Sequence, residues 1–390
     1  MVAVPVALDS RPSGVPVGSA AEAVLATDLD GLRALCDSAT GTDVAASLRA
    51  DRRSLGDLAV LLSPAAAARL DDLAAAAHEA TVRRFGRVVK LFAPLYLSSE
   101  CVSTCTYCGF SAPNEIARRT LSPEEVRAEA GTLLAAGFRH LLLVAGEHAR
   151  VVSPDYLVEC VRALAPVVPS IAVEVQVWGV DTYRRLVEAG CEGLVVYQET
   201  YDRARYADVH LKGKKRNYDW RLAAPDRGAE GGMRALGIGA LLGLRPDWRS
   251  EVMAVAAHAR ALLRRWWRCE LSISLPRLRP ATGGFESTAP VGDAEMVQVL
   301  CALRLCLPEV GITLSTREPA RLRDGMLRLG VTAMSAGSST EPGGYTTPAA
   351  ADPQFEVSDD RTPDAIAAVL RAAGYDPVWK DTLGARLRSR

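Results

Sequence analysis

Three cysteines stand at Cys101, Cys105 and Cys108, in the spacing C-x3-C-x2-C, directly after the apolar run Val88 to Leu97. Three thiolates on one loop can hold three irons of a four-iron cluster and leave the fourth iron without a protein ligand. Such an iron is the iron-sulfur counterpart of a catalytic metal ion that keeps one coordination position open. A zinc clip, or three incidental buried cysteines, is the alternative. Against zinc, no fourth Cys or His lies close by to complete a tetrahedral set.

The elements that would position this loop follow a repeating pattern. Residues from about Ala20 to Arg87 read as helical, with Ser63-Pro64 as a helix start and no strand pattern. From Val88 onward, short apolar runs alternate with helical ones. The expected strands are Val88–Leu97, Arg139–Val144, Ile171–Val177, Gly193–Gln198, Gly237–Leu244, Glu270–Leu275, Gly311–Ser315 and Val331–Ser335. Helices open at Ser122-Pro123-Glu124-Glu125 (a capping box), Ser153-Pro154, Asp181, Asp247, Asp293 and Pro319. Strands that are apolar on both faces and separated by helices belong to a buried parallel sheet. Eight of them fit a complete (β/α)8 TIM-type barrel, with an N-terminal helical extension and a C-terminal helical segment. The expected organisation is a flexible 1–20, a helical layer 21–87, the barrel 88–345, and a segment 346–390 packed on it.

The totals agree with a globular enzyme. Lys plus Arg and Asp plus Glu are both 46, so the net charge is zero, and neither nucleic acid nor an anionic membrane is indicated as partner. No uncharged run reaches the roughly 18 residues that a membrane span needs. The first 20 residues carry Asp9 and Arg11 and lack the pattern of a signal peptide. Nine cysteines, an odd number, scattered apart from the motif as small buried hydrophobes, suit the reducing cytoplasm.

Catalytic residues of such a barrel gather where strands end. Polar groups do occur there: Gly146-Glu147, Glu174 with Gln176, Gln198-Glu199, Ser274 through Pro280, and Arg317-Glu318. Gly146 would let backbone approach a ligand closely, and Glu147 could receive a cationic amino group. Glu174 and Gln176, two apart on one strand face, would either meet ligand hydroxyls or form a salt bridge inside the barrel. Gln198-Glu199 carries the same two readings. Arg277, Arg279 and Arg317 could clamp a carboxylate bidentately, with at least one expected only to pair with a neighbouring acid. The basic stretch His210 to Arg216 is either a solvated loop, a carboxylate site, or a dock for an acidic redox protein. Arg264 to Arg268 suits the end of a helix dipole.

Taken together these segments resemble the 2-iminoacetate synthase family, tyrosine lyases of thiamine thiazole biosynthesis within the radical S-adenosylmethionine (SAM) superfamily. The resemblance runs from about Val44 to Asp381. It is carried by Pro94-Leu95-Tyr96-Leu97-Ser98, Cys108-Gly109-Phe110, Gly146-Glu147-His148, Tyr197-Gln198-Glu199-Thr200-Tyr201, His210 to Lys215, Pro276 to Pro280, Leu314 to Glu318, Pro342 to Tyr345, and Pro377 to Asp381.

The resemblance implies a 4Fe-4S cluster on Cys101, Cys105 and Cys108, with SAM as co-substrate on the open iron. An electron from a flavodoxin- or ferredoxin-type reductant would cleave SAM to methionine and a 5′-deoxyadenosyl radical. The radical would take hydrogen from the amino nitrogen of L-tyrosine, and the Cα–Cβ bond would break to give 2-iminoacetate and p-cresol. Tyr107, Gly146, Glu147, Glu174, Gln176 and Gln198 are the expected SAM contacts. Tyr96, Ser274, Arg279 and Arg317 are the expected substrate contacts, with the general base for the phenol left open between His148 and Glu199. A thiazole synthase subunit is a further implied partner. One departure stands out: after Gln176 the chain has Val177-Trp178 in place of the Pro-Leu of the family. The nearest rivals are a tryptophan lyase and a hydrogenase-maturation tyrosine lyase. The latter needs a second cluster on a cysteine-rich tail, and here the last cysteine is Cys306.

Overall fold

In the computed structural model, residues 15–287 and 289–379 are described. The expected flexible stretch 1–20 therefore falls mostly outside them, as do residues 380–390 at the other end. Eight parallel strands close into a barrel in sequential order: β1 (Val88–Ser98), β2 (His140–Ala145), β3 (Ser170–Glu174), β4 (Gly193–Glu199), β5 (Ala235–Ala240), β6 (Glu270–Ser274), β7 (Gly311–Leu314) and β8 (Ala333–Ser335). β1 closes the ring by pairing with both β2 and β8.

β1 shows how the pattern builds a two-sided wall. Leu91, Ala93, Leu95 and Leu97 are fully buried in the hydrophobic core, while Phe92, Pro94 and Tyr96 line the barrel cavity. Successive side chains leave a strand on opposite faces, so an apolar run with few polar residues serves both. The connecting helices begin where the capping chemistry says. Ser122 accepts from the Glu125 N–H, and the Glu125 carboxylate takes the Ser122 N–H at 2.7 Å. Ser153 caps the helix Pro154–Leu164 by accepting from the Tyr156 N–H.

Short helices from Ala20–Leu25 to Leu70–Phe85 cover the barrel on one side. They rest on the helices Trp248–Arg265 and Asp293–Cys306. The buried Gln298 amide donates to the Leu61 and Ser63 carbonyls at 3.0 and 2.9 Å, satisfying a helix end of that layer.

Several boundaries differ from expectation. β3 stops at Glu174 because only Ala172 and Val173 find partners on β4, so Gln176 lies in a bend and not on the strand. β5 stops at Ala240; beyond it the chain turns through Gly243 at φ +103°. β8 starts at Ala333. The C-terminal segment is more than helical. After the helix Pro363–Ala372 comes a ninth strand, β9 (Asp376–Val378), parallel to Val88–Lys90 of β1. Three residues including Pro377 carry no strand periodicity, and Pro is confined to such edges.

Before that helix, residues 340–359 strap across the barrel mouth. The strap is anchored by Tyr345 Oη donating to the Pro94 carbonyl, by the Thr346 N–H on Glu129, and by a buried Arg323–Asp359 ion pair.

Candidate active site

The mouth of the barrel opens into a cleft of about 1320 Å³, open solvent included. Cys101, Cys105 and Cys108 all line it, on the loop that leaves β1. Gly146 explains how the loop sits so deep. A Cβ there would come within 2.4 Å of the Glu100 carbonyl oxygen, so the close approach it permits is to the cysteine loop itself. Burial, with the neighbouring Cys108 thiol, pushes Cys101 up to about 11. Burial also holds the Cys105 thiol well above its usual range. These thiols stay protonated until a cation compensates them, so metal binding there releases protons.

Beside the cysteines lies a chain of alternating charges. Glu147 pairs with Arg221 at 3.0 Å and accepts from Ser103 Oγ at 3.3 Å. Arg221 reaches Glu199 at 3.8 Å, and Glu199 pairs with Lys215 at 2.7 Å. Burial pushes the Glu199 carboxyl up, but Lys215 and Arg221 outweigh it and hold it below its usual range. Burial pulls Lys215 down, and the Glu199 charge more than reverses this. Glu199 has φ +68°, a left-handed conformation rare for a residue with a side chain, next to a bulge in β4. Its neighbour Tyr107 donates its hydroxyl to His210 Nε2 at 2.8 Å. His210 Nδ1–H is spent on the Tyr206 carbonyl, also at 2.8 Å. Burial and then Lys215 bring His210 down to about 3, so its ring is neutral.

The remaining wall is different. Arg317 lines the cavity without an ion pair among the described residues, its guanidinium 3.3 Å over the Phe355 ring. The Ser274 hydroxyl is buried beside the Tyr197 phenol, outside normal hydrogen-bond geometry. Burial, then the Glu199 charge, pushes Glu174 up to about 7 against the pull of Arg317. Tyr96 donates to Gln354 Oε1 at 2.8 Å, and Gln354 Nε2 donates to Cys108 Sγ at 3.6 Å.

Most expected site residues therefore share one cavity: Tyr96, Tyr107, Gly146, Glu147, Glu174, Ser274 and Arg317 with the three cysteines. Three do not line it. Strand alternation points Tyr197 and Glu199 inward, so Gln198 faces out and donates to the Tyr218 carbonyl at 3.4 Å. Gln176 lies past the end of β3, buried, with its amide unpartnered. Arg279 turns from the cavity to the Arg317 carbonyl and to Glu318 at 3.5 Å, so it braces Arg317. Arg277 pairs with Glu318 and Asp293, the acid-pairing role expected of one arginine. His148 also stays off the cavity, its Nδ1 receiving the Val151 N–H. Nor does Trp178 line it.

Sequence reasoning did not single out Lys215, Arg221, Gln354 or Phe355 as site residues. Lys215 sat within the basic run His210 to Arg216, whose readings as solvated loop, carboxylate site or redox-protein dock did not separate it from its neighbours. The others come from chain regions with no motif.

The donor set suits a cluster better than a single ion. Three thiols converge on the cavity, yet no three His, Cys, Asp or Glu side chains among the described residues close tightly enough to hold one metal ion. Thiolates at separate corners of a cluster sit farther apart than ligands of one tetrahedral ion.

Comparison with known proteins defines the class first. Residues 95–256 match the family described as the Radical SAM superfamily, and residues 274–376 the Biotin and Thiamin Synthesis associated domain. Curated 2-iminoacetate synthases of Escherichia coli and Salmonella typhimurium are 43% and 42% identical to this chain. The alignments cover 91% and 90% of it, and 94% and 93% of those proteins. Among solved structures, a HydG maturase of the FeFe-hydrogenase superposes with a TM-score of 0.89 at 31% identity, over 94% of this chain and 83% of that one. HydG from Carboxydothermus hydrogenoformans gives 0.83 at 32%, over 95% and 84%.

The chain belongs to the 2-iminoacetate synthase family of radical SAM lyases. It is an enzyme of the class that acts on aromatic amino acids, using a 4Fe-4S cluster and SAM. Among the described residues no helix is long and apolar enough to cross a membrane.

Proposed function

We propose that the enzyme cleaves the Cα–Cβ bond of L-tyrosine, giving 2-iminoacetate and p-cresol, and that the 2-iminoacetate feeds the thiazole of thiamine. The observation that carries this reading is the Arg317 guanidinium, unpaired among the described residues in the cavity that the three cysteines line. A half-buried cation without an ion partner calls for an anion, and the planar fork of arginine matches a carboxylate. Glu174 lies close enough for the Arg317 charge to act on it, which provides for both ends of an amino-acid zwitterion.

When bound by Cys101, Cys105 and Cys108, a 4Fe-4S cluster supplies the electron that cleaves SAM reductively. The residues do the rest by position. Glu147 receives the amino group of SAM, and Arg221 and Lys215 neutralise the acids around it. Arg317 holds the tyrosine carboxylate, braced by Arg279. Glu174, poised near neutrality, takes a proton from the tyrosine ammonium, so the nitrogen presents a neutral N–H to the radical. Ser274 hydrogen-bonds the bound substrate, and Phe355 and the strap exclude water. The electron donor in this reading is a flavodoxin- or ferredoxin-type protein, and a thiazole synthase subunit receives the product.

Anaerobic reconstitution with iron and sulfide, then SAM, dithionite and L-tyrosine, tests it. The expected products are 5′-deoxyadenosine, p-cresol and glyoxylate from hydrolysed 2-iminoacetate. Formation of 5′-deoxyadenosine without p-cresol sinks the tyrosine assignment and leaves the radical SAM chemistry standing. The likeness to HydG supports a second reading, a related maturation-type lyase. Carbon monoxide or cyanide in the same assay would select it, and an indole acid formed from L-tryptophan would instead mark a tryptophan lyase.

A further inference from the structure

The loop His210–Arg216 lies against the cysteine loop as a second layer. The Leu211 N–H donates to the Thr104 carbonyl at 3.2 Å, the Thr104 N–H to Lys212 at 3.1 Å, and the Thr106 N–H to Val209 at 3.0 Å. Gly213, at φ +90°, sits so close that a Cβ would come within 2.6 Å of Ser103 Cα. The two loops therefore present one continuous outer face.

That face has an unusual composition. Val102 and Leu211 are 45% and 48% exposed, two of the few large apolar side chains left in water. Lys212 and Lys214 are exposed beside them, and neither has an ion pair among the described residues. Lys215, between Lys214 and Arg216, turns inward to Glu199 instead. Arg216 is spent on the Leu211 carbonyl at 3.2 Å, which fixes the turn. Lys214 does not float free. Its Nζ stands 5.6 Å over the ring of Trp178, the residue that departs from the family pattern. Asp208, a few residues before the loop, is the nearby exposed acid on the preceding helix. An apolar pair rimmed by positioned cations, directly outside the cysteines, has the make-up of a transient protein contact.

We propose that this face docks a small acidic one-electron carrier protein of the flavodoxin type. The inference rests on the radical SAM reading above. Acidic side chains of the carrier meet Lys212 and Lys214, and the apolar edge of its cofactor meets Val102 and Leu211. The reduced carrier loses one electron and the cluster gains one. The path runs through the Leu211–Thr104 backbone hydrogen bond, one residue from Cys105. Trp178 serves this face by holding Lys214, not the substrate pocket.

The test uses the reconstituted holoenzyme, a bacterial flavodoxin as probe, and the double variant K212E/K214E. Two properties are read: flavodoxin binding, from flavin fluorescence, and the rate of flavodoxin hydroquinone oxidation in stopped flow. The parent should bind more weakly and react more slowly as salt rises. In the double variant both should fall by roughly tenfold or more at low salt, and most of the salt dependence should vanish. Lys212→Gln with Lys214→Gln should give an intermediate loss, and Trp178→Leu a smaller one. With dithionite in place of flavodoxin, every variant should form 5′-deoxyadenosine at the parent rate. A double variant that binds and oxidises flavodoxin like the parent, with the same salt slope, overturns the docking face. A parent enzyme that forms no 5′-deoxyadenosine with dithionite overturns the radical SAM reading instead.

Discussion

The two sectors of the cavity are built on opposite principles. Around Cys105 the charged groups are answered, Glu147 by Arg221 and Glu199 by Lys215, and the neutral Tyr107 and His210 share a hydrogen bond; only the Thr104 and Thr106 hydroxyls of the loop are buried without partners. Around Arg317 the groups are left open: a guanidinium without an ion pair among the described residues, a Ser274 hydroxyl with only the Tyr197 phenol beside it, a Glu174 carboxyl near its midpoint at neutral pH. Buried polar groups cost free energy unless satisfied. A satisfied network holds its shape with or without ligand. An unsatisfied one is completed only when the right ligand enters. The first sector thus suits a preformed support for the cysteine loop, and the second a ligand that brings the missing charge and hydrogen bonds.

The largest effect is expected at the cysteine loop. Cys105→Ala should abolish the cluster absorbance and both 5′-deoxyadenosine and p-cresol; persistence of either product would sink the cluster assignment. In the satisfied sector, Arg221→Ala leaves Glu147 buried and uncompensated. It should cost about 3–5 kcal/mol of stability, read as a lower Tm of the purified chain.

In the open sector the same kind of truncation should act on substrate instead. Arg317→Ala should lower kcat/KM for tyrosine on the order of 100-fold while SAM affinity and Tm change little. Equal losses of SAM binding would erase the distinction between the sectors.

A milder perturbation is Glu174→Gln. Because the folded chain raises this carboxyl to about 7, it favours the protonated form. The stability so contributed is present below the unfolded carboxyl range and is lost as pH rises through about 7. Without substrate, the parent should therefore lose stability on the order of 3 kcal/mol from pH 4.5 to 8 at this group. Thermal melts of the Gln variant should lack that part of the slope. The smallest effect is expected at Gln198→Ala, off the cavity wall: about 1 kcal/mol of stability and unchanged kcat/KM.

Much of this was legible in the sequence, because it is written in local patterns. C-x3-C-x2-C is a spacing within one loop, and the helix caps at Ser122 and Ser153 are contacts over three residues. The eight strands show as apolar runs between helices. What was not legible depends on where a strand stops and on contacts across the chain. Whether Gln198 or Glu199 faces the cavity depends on which face of β4 the barrel turns inward, and Tyr197 and Glu199 share that face. Gln176 left the expected face because β3 ran out of partners at Glu174. β9 is too short for any period to show.

The sequence by itself determined the three-cysteine loop and the barrel that carries it, since both follow from short-range spacing and periodicity. Only the tertiary structure decided which charges are answered and which are left open. Arg221 reaches Glu147 across 74 residues and Gln354 reaches Cys108 across 246. Arg279, which looks like a substrate clamp in sequence, becomes the brace of another. Pairing between distant residues depends on how the loops cross at the barrel mouth, and no local pattern encodes that.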